Sequence, residues 1–134
     1  MSISAYKKTI KNNASPKEME RRIISQVTSA LQAQQADFDA SENKVAALTK
    51  EIKEALWNNQ QFWITIKADL ISEGNQHPKQ LKADLLGLIA FIDRHTSKVL
   101  EGEGAIFPLI EINTNIMTGL SAKATPTQAE PAPQ

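Results

Sequence analysis

The chain predicts an all-α fold, an elongated bundle of about five helices with a long central helical hairpin and a disordered C-terminal tail. Three observations over its 134 residues predict it. Large apolar residues recur at spacings of three and four along most of the length, proline and serine stand where helices open, and the alternation of half-buried strands is scarce.

Residues 2–11 carry Ile3, Tyr6 and Ile10 on one side of a short amphipathic helix able to dock on the main body. Ser15, Pro16, Lys17 and Glu18 read as a capping box with proline at the first helical position, opening a helix that runs to about residue 35. Met19, Ile23, Val27 and Leu31 form its stripe, and Ile24 broadens it. The period fades through residues 34–40. Ser41 and Glu42 then mark the start of a helix without proline or glycine to about residue 72, whose stripe is Val45, Leu48, Ile52, Leu56, Trp63, Ile66 and Leu70. Thirty residues of helix span about 45 Å, long for a domain of this size.

The strongest turn is residues 73–78, where Gly74 and Asn75 accept left-handed angles and Pro78 starts the next helix. That helix has Leu81, Leu85, Leu88, Ile89, Ile92 and Val99 as its buried face, while Leu86 and Phe91 make its middle apolar almost all round. It is therefore the expected central element. Ala83, Gly87 and Ala90 place small side chains on one side, as a closely approaching neighbour would require. Residues 101–104, Glu-Gly-Glu-Gly, end it. The last helix is expected over residues 107–120, with Pro108 at its first position and Gly119 where the chain would leave through a left-handed residue. Leu109, Ile112 and Ile116 make one apolar line on it, Ile110 and Met117 a second, and so wide a face must pack on this chain, another protein or both. A helical domain over residues 1–120 is then followed by a tail, residues 121–134, rich in Pro, Ala, Thr and Gln and expected to be disordered.

Composition excludes several classes of function. There is no cysteine, hence no disulfide and no thiol chemistry, and fifteen basic side chains balance fifteen acidic ones, which argues against direct nucleic-acid binding over a broad surface. No apolar run approaches the roughly twenty residues of a membrane span, and the N-terminus lacks the apolar core of a secretory signal. A soluble cytoplasmic protein is expected. His77 and His95 stand apart with no partner at metal-ligand spacing, Asp93, Arg94 and His95 point in different directions on a helix, and no glycine-rich phosphate loop is present. Neither an enzyme, a metal site nor a cofactor is expected. Lys7, Lys8, Lys11, Lys17, Arg21 and Arg22 against Glu18 and Glu20 leave the N-terminal region a modest net positive charge, read as a solvated face. Trp57 to Trp63 puts two tryptophans and Phe62 around four amides, and these rings cannot all share the stripe of Leu56 and Trp63. Aromatic anchors beside hydrogen-bonding groups suit an interface.

The order of SPKEMERR, ALWNNQQFW, a helix opened by His-Pro and containing FIDRHTSKVL, and a closing PLIEINTNIMTGL resembles the FlaF family of flagellar biosynthesis regulators over roughly residues 3–120. In that family Leu-Pro usually introduces the helix after the turn, where this chain has His77-Pro78. The resemblance implies a cytoplasmic, non-catalytic protein needed for flagellin production or export, acting as a flagellin-binding export chaperone beside an FlbT-type regulator and the flagellar export machinery. The alternative it leaves open is a post-transcriptional regulator of flagellin messenger RNA acting with the FlbT-type partner. Carried onto this chain, the candidate partner-facing residues are Trp57, Phe62 and Trp63 of the long helix and Ile110, Ile112, Ile116 and Met117 of the last, with Asp93, Arg94 and His95 either forming a polar rim or pairing internally.

Overall fold

A computed structural model describes residues 16–124, and among these it contains five helices and no strand: α1 (Pro16–Ala40), α2 (Lys44–Ala47), α3 (Lys50–Leu70), α4 (Lys79–Leu100) and α5 (Phe107–Ala124). The helix expected over residues 2–11, the Ser15 end of the capping box and the tail beyond residue 124 lie outside the described residues.

Helix α1 runs past residue 35 to Ala40. Gln34 and Gln35 interrupt its apolar pattern without ending the helix, because Phe38 completes the face of Ile24, Val27 and Leu31 and is fully buried. Burying a phenylalanine contributes roughly 2–3 kcal/mol, which outweighs the weak propensity of the residues around it. The long helix expected next is instead broken. Asn43 caps the single turn of α2 by accepting the Ala46 N–H at 3.2 Å, and Thr49, in extended conformation, caps α3 by accepting the Ile52 N–H at 3.2 Å. A β-branched hydroxyl residue competes better as a cap than inside a helix, so Thr49 divides a stretch that has neither proline nor glycine.

Helices α3 and α4 form the expected hairpin through residues 71–78. The central position, however, belongs to α1 and α3: α1 packs along both α3 and α5, whereas α4 lies against α3 and touches α5 less extensively. This corrects the reading of α4 as the middle of the bundle. Its lower half buries Ile89, Ile92, Thr96 and Val99, while Leu81, Leu85, Leu86 and Leu88 near its start are only half-buried. The small residues Ala83, Gly87 and Ala90 face solvent, and a methyl group added at Gly87 would meet nothing within 4 Å. No neighbour approaches there.

One end of the bundle is closed by backbone chemistry. Helix α4 stops in a Schellman arrangement, with the Glu103 N–H on the Lys98 carbonyl at 2.9 Å, the Gly102 N–H on the Val99 carbonyl at 3.0 Å, and Gly102 at φ 78°. His95 Nε2 donates to the Ala105 carbonyl at 2.7 Å and stacks on Phe91, which ties the loop before α5 to α4. The Asp39 carboxylate accepts the N–H groups of Ile106 at 2.7 Å and Phe107 at 3.1 Å, so the end of α1 caps the start of α5. From there α5 continues through Gly119 to Ala124, correcting the exit expected at Gly119, which is not a positive-φ residue.

Because Gly87 is an exposed mid-helix glycine with open space around it, Gly87→Ala is expected to raise stability by about 0.5–1 kcal/mol in urea denaturation. A loss of stability would mean that a neighbouring element does pack against this row.

Candidate partner-binding groove

Four buried polar side chains fix how α5 sits on α1 and α3. Asn113, fully buried in α5, accepts the Trp63 indole N–H at 3.0 Å, and its amide donates to Asn59 Oδ1 at 2.7 Å and to Thr28 Oγ1 at 3.0 Å. Thr28 in turn donates its hydroxyl to the Ile24 carbonyl one turn back, at 2.6 Å. Since Asn59 must turn its carbonyl toward Asn113, its own Nδ2 is left in the interior without a hydrogen-bond partner. A buried polar group costs free energy unless it is paired, so this arrangement tolerates only one rotation and one height of α5.

That rotation places the candidate residues. Ile110 points into the core beside Leu109, and Ile112, Ile116 and Met117 are half-buried at its edge. Trp63 and Phe62 are buried as well, packed edge to face with ring centroids 5.2 Å apart. Trp57 is 58% exposed. The seven candidates therefore do not form one surface: Trp63 and Ile110 are core, Phe62 joins them, Trp57 is outside, and the edge of α5 lies between. Of the rim candidates, His95 is held by Ala105 and Phe91 at the opposite end of α4.

Among the described residues, two open apolar features border the candidate positions on α3 and α5. The first is a groove of about 260 Å³ at the end of the bundle where α1 and α4 begin and α3 and α5 finish. Its floor is Phe62 and Trp63, and its walls are Ile66 and Leu70 of α3, Leu81 and Leu85 of α4, and Ile116 and Gly119 of α5. Glu20, Asp69, His77 and Asn115 supply the polar part of its lining. The second is a row on the outer side of α3, where Trp57, Ile64 and Ile71 recur every seven residues with exposures of 58%, 49% and 64%. Trp57 and Ile66 are nine positions apart, half a turn around the helix, so the row and the groove occupy opposite sides of α3.

No three His, Cys, Asp or Glu side chains among the described residues gather as metal ligands would, and no described helix is long and apolar enough to cross a membrane. A family model described as flagellar protein FlaF matches residues 2–120. This chain belongs to the FlaF family. It is a flagellar protein, and both the buried asparagine and the groove lie within the part that the FlaF model matches. Comparison with curated proteins gave no match, and comparison with solved structures gave none either.

Reading by residue type missed most of the groove. In sequence Leu81 and Leu85 read as core because the helix carrying them looks central, and Asn59 reads as one of four amides between aromatics. Asn113 did leave a signal. It lies on the line of Leu109 and Ile116, a polar side chain at an apolar position, which is how a buried hydrogen-bonding group appears in sequence.

Asn113→Leu removes three hydrogen bonds and strands the Trp63 N–H, and is expected to cost about 2–4 kcal/mol in equilibrium denaturation. Asn59→Leu, which removes an amide already lacking one partner, should cost clearly less. Equal losses would show that Asn113 is not the joint of the three helices.

Proposed function

We propose that this FlaF-family protein binds flagellin before assembly, as an export chaperone that masks an amphipathic helix of the subunit in the groove between α3, α4 and α5. The observation that carries this reading is the apolar lining of that groove: half-buried Ile66, Leu81, Leu85 and Ile116 around a floor fixed by Phe62 and Trp63. A helix offering anchors three, four and seven residues apart is the natural occupant of such a channel. The terminal segments of flagellin pack as amphipathic helices in the filament, and before assembly their apolar faces invite premature association. Folding of such a segment on docking lowers net affinity by its ordering cost, so the complex stays reversible and the subunit can be handed to the export machinery. The role is binding without catalysis in the cytoplasm, and any effect on flagellin synthesis, alone or with an FlbT-type regulator, follows from the amount of subunit held.

Ile116→Asp places a charge on the groove wall and is expected to abolish co-purification with flagellin while the helical circular dichroism of the protein is kept. Trp57→Ala, on the other side of α3, should leave capture intact. Loss of capture in the Trp57 variant with retention in the Ile116 variant would transfer the site to the outer row of α3.

The competing class, direct action on flagellin messenger RNA, predicts a salt-sensitive gel shift with flagellin leader RNA. With a balanced overall charge, no shift is expected at physiological salt.

A further inference from the structure

We propose that the groove is also the docking site of this chain's own first segment, residues 2–11, which occupies it when no other helix does. The competitive part of this proposal rests on the flagellin reading; the docking itself does not.

Position comes first. The described chain begins at Pro16, and Glu20, one turn into α1, already lines the groove. Whatever precedes Pro16 therefore leaves α1 at the mouth of the channel. Residues 12–15 reach about 13 Å when extended, more than the width of a helix, and ten residues of helix measure about 15 Å. The segment is long enough to lie along the lining without pulling on α1.

Chemistry supplies the occupant's orientation. Read as a helix, residues 2–11 hold Ile3, Tyr6 and Ile10 within an arc of about 60°, with Lys7 and Lys11 about 70–110° to one side of its centre and Lys8 on the opposite face. The groove offers Ile66, Leu81, Leu85 and Ile116 to the apolar arc and lines its polar part with the carboxylates Glu20 and Asp69. None of the described residues lining it is lysine or arginine. An apolar stripe with the ammonium groups of Lys7 and Lys11 along one flank thus matches an apolar channel bordered by acidic groups, and the phenol of Tyr6 can reach solvent or the polar lining while its ring is covered.

The absence of cysteine makes the test direct, because pairs can be introduced without side reactions in the full chain. In Tyr6→Cys combined with Leu85→Cys, oxidation of dilute protein is expected to give an intrachain disulfide at least about fivefold faster than in Tyr6→Cys combined with Trp57→Cys, since docking raises the effective concentration only at the groove. If Leu85→Cys loosens the fold by circular dichroism, Ile116→Cys on the opposite wall replaces it. Reversing the lysines, with Lys7→Glu, Lys8→Glu and Lys11→Glu together, should slow the groove disulfide severalfold and leave the control pair unchanged. Equal rates for the two pairs would overturn the proposal, as would a cross-linked dimer in place of the intrachain product. Purified flagellin should slow the groove disulfide further; if flagellin binds and does not slow it, the shared-site claim fails while docking stands, and if the disulfide never forms, flagellin capture by the groove is untouched.

Discussion

Asn113 is the side chain on which the rest of the arrangement depends. Its amide joins α1, α3 and α5 through hydrogen bonds with Thr28, Asn59 and Trp63. Apolar packing alone would allow α5 some freedom, because its two apolar lines sit side by side and either could face inward. A one-residue slip rotates a helix by about 100°, which would carry the Asn113 amide away from its partners and leave the Trp63 N–H buried without one, at a cost of roughly 1–3 kcal/mol. Hydrophobic burial holds α5 to the bundle, and the hydrogen bonds select which face is held. That selection sends Leu109 and Ile110 inward and brings Ile116 to the edge, where a partner can reach it.

The two ends of the bundle differ for the same kind of reason. At one end, backbone groups are consumed by the protein itself: Asp39 takes the first N–H groups of α5, the Schellman turn at Gly102 closes α4, and His95 clamps Ala105. Each of these contacts draws the loop toward the helices and leaves little room between them. At the other end, α4 starts at Pro78 with no side-chain cap and no contact to α1 of comparable extent, so Leu81 and Leu85 lean on α3 from one side only. The groove is the space that this one-sided support leaves open.

Much of the architecture was legible in the sequence. The helical class, the turn at residues 73–78, the stop at residues 101–104 and the start of the last helix near Pro108 all follow from local chemistry that acts over a few residues. What was not legible depended on distant partners. The helix propensity of residues 34–40 gives no hint that Phe38 is claimed by the core, and Thr49 differs from other threonines only in that the chain has somewhere else to go once the helix is broken. Gly87 shows the limit most clearly. A glycine inside a helix suggests a close neighbour, and here the space beside it is empty. The apolar residues of α4 are plain in the sequence, but whether they meet a second helix is set by where α1 lies, and that position is fixed by Thr28 and Asn113.

The rigid floor and the softer walls of the groove have different consequences for binding. Phe62 and Trp63 are immobilised by their mutual contact and by the indole hydrogen bond, so covering them requires little further ordering. Ile66, Leu81, Leu85 and Ile116 are half-buried, and each has already released part of its apolar surface from water before any partner arrives. The transfer free energy still available is correspondingly smaller, at about 25 cal/mol per Å² of surface newly covered. Association also carries the loss of rotational and translational freedom and the ordering of the incoming helix. A groove prepared in this way favours shape selection over great affinity.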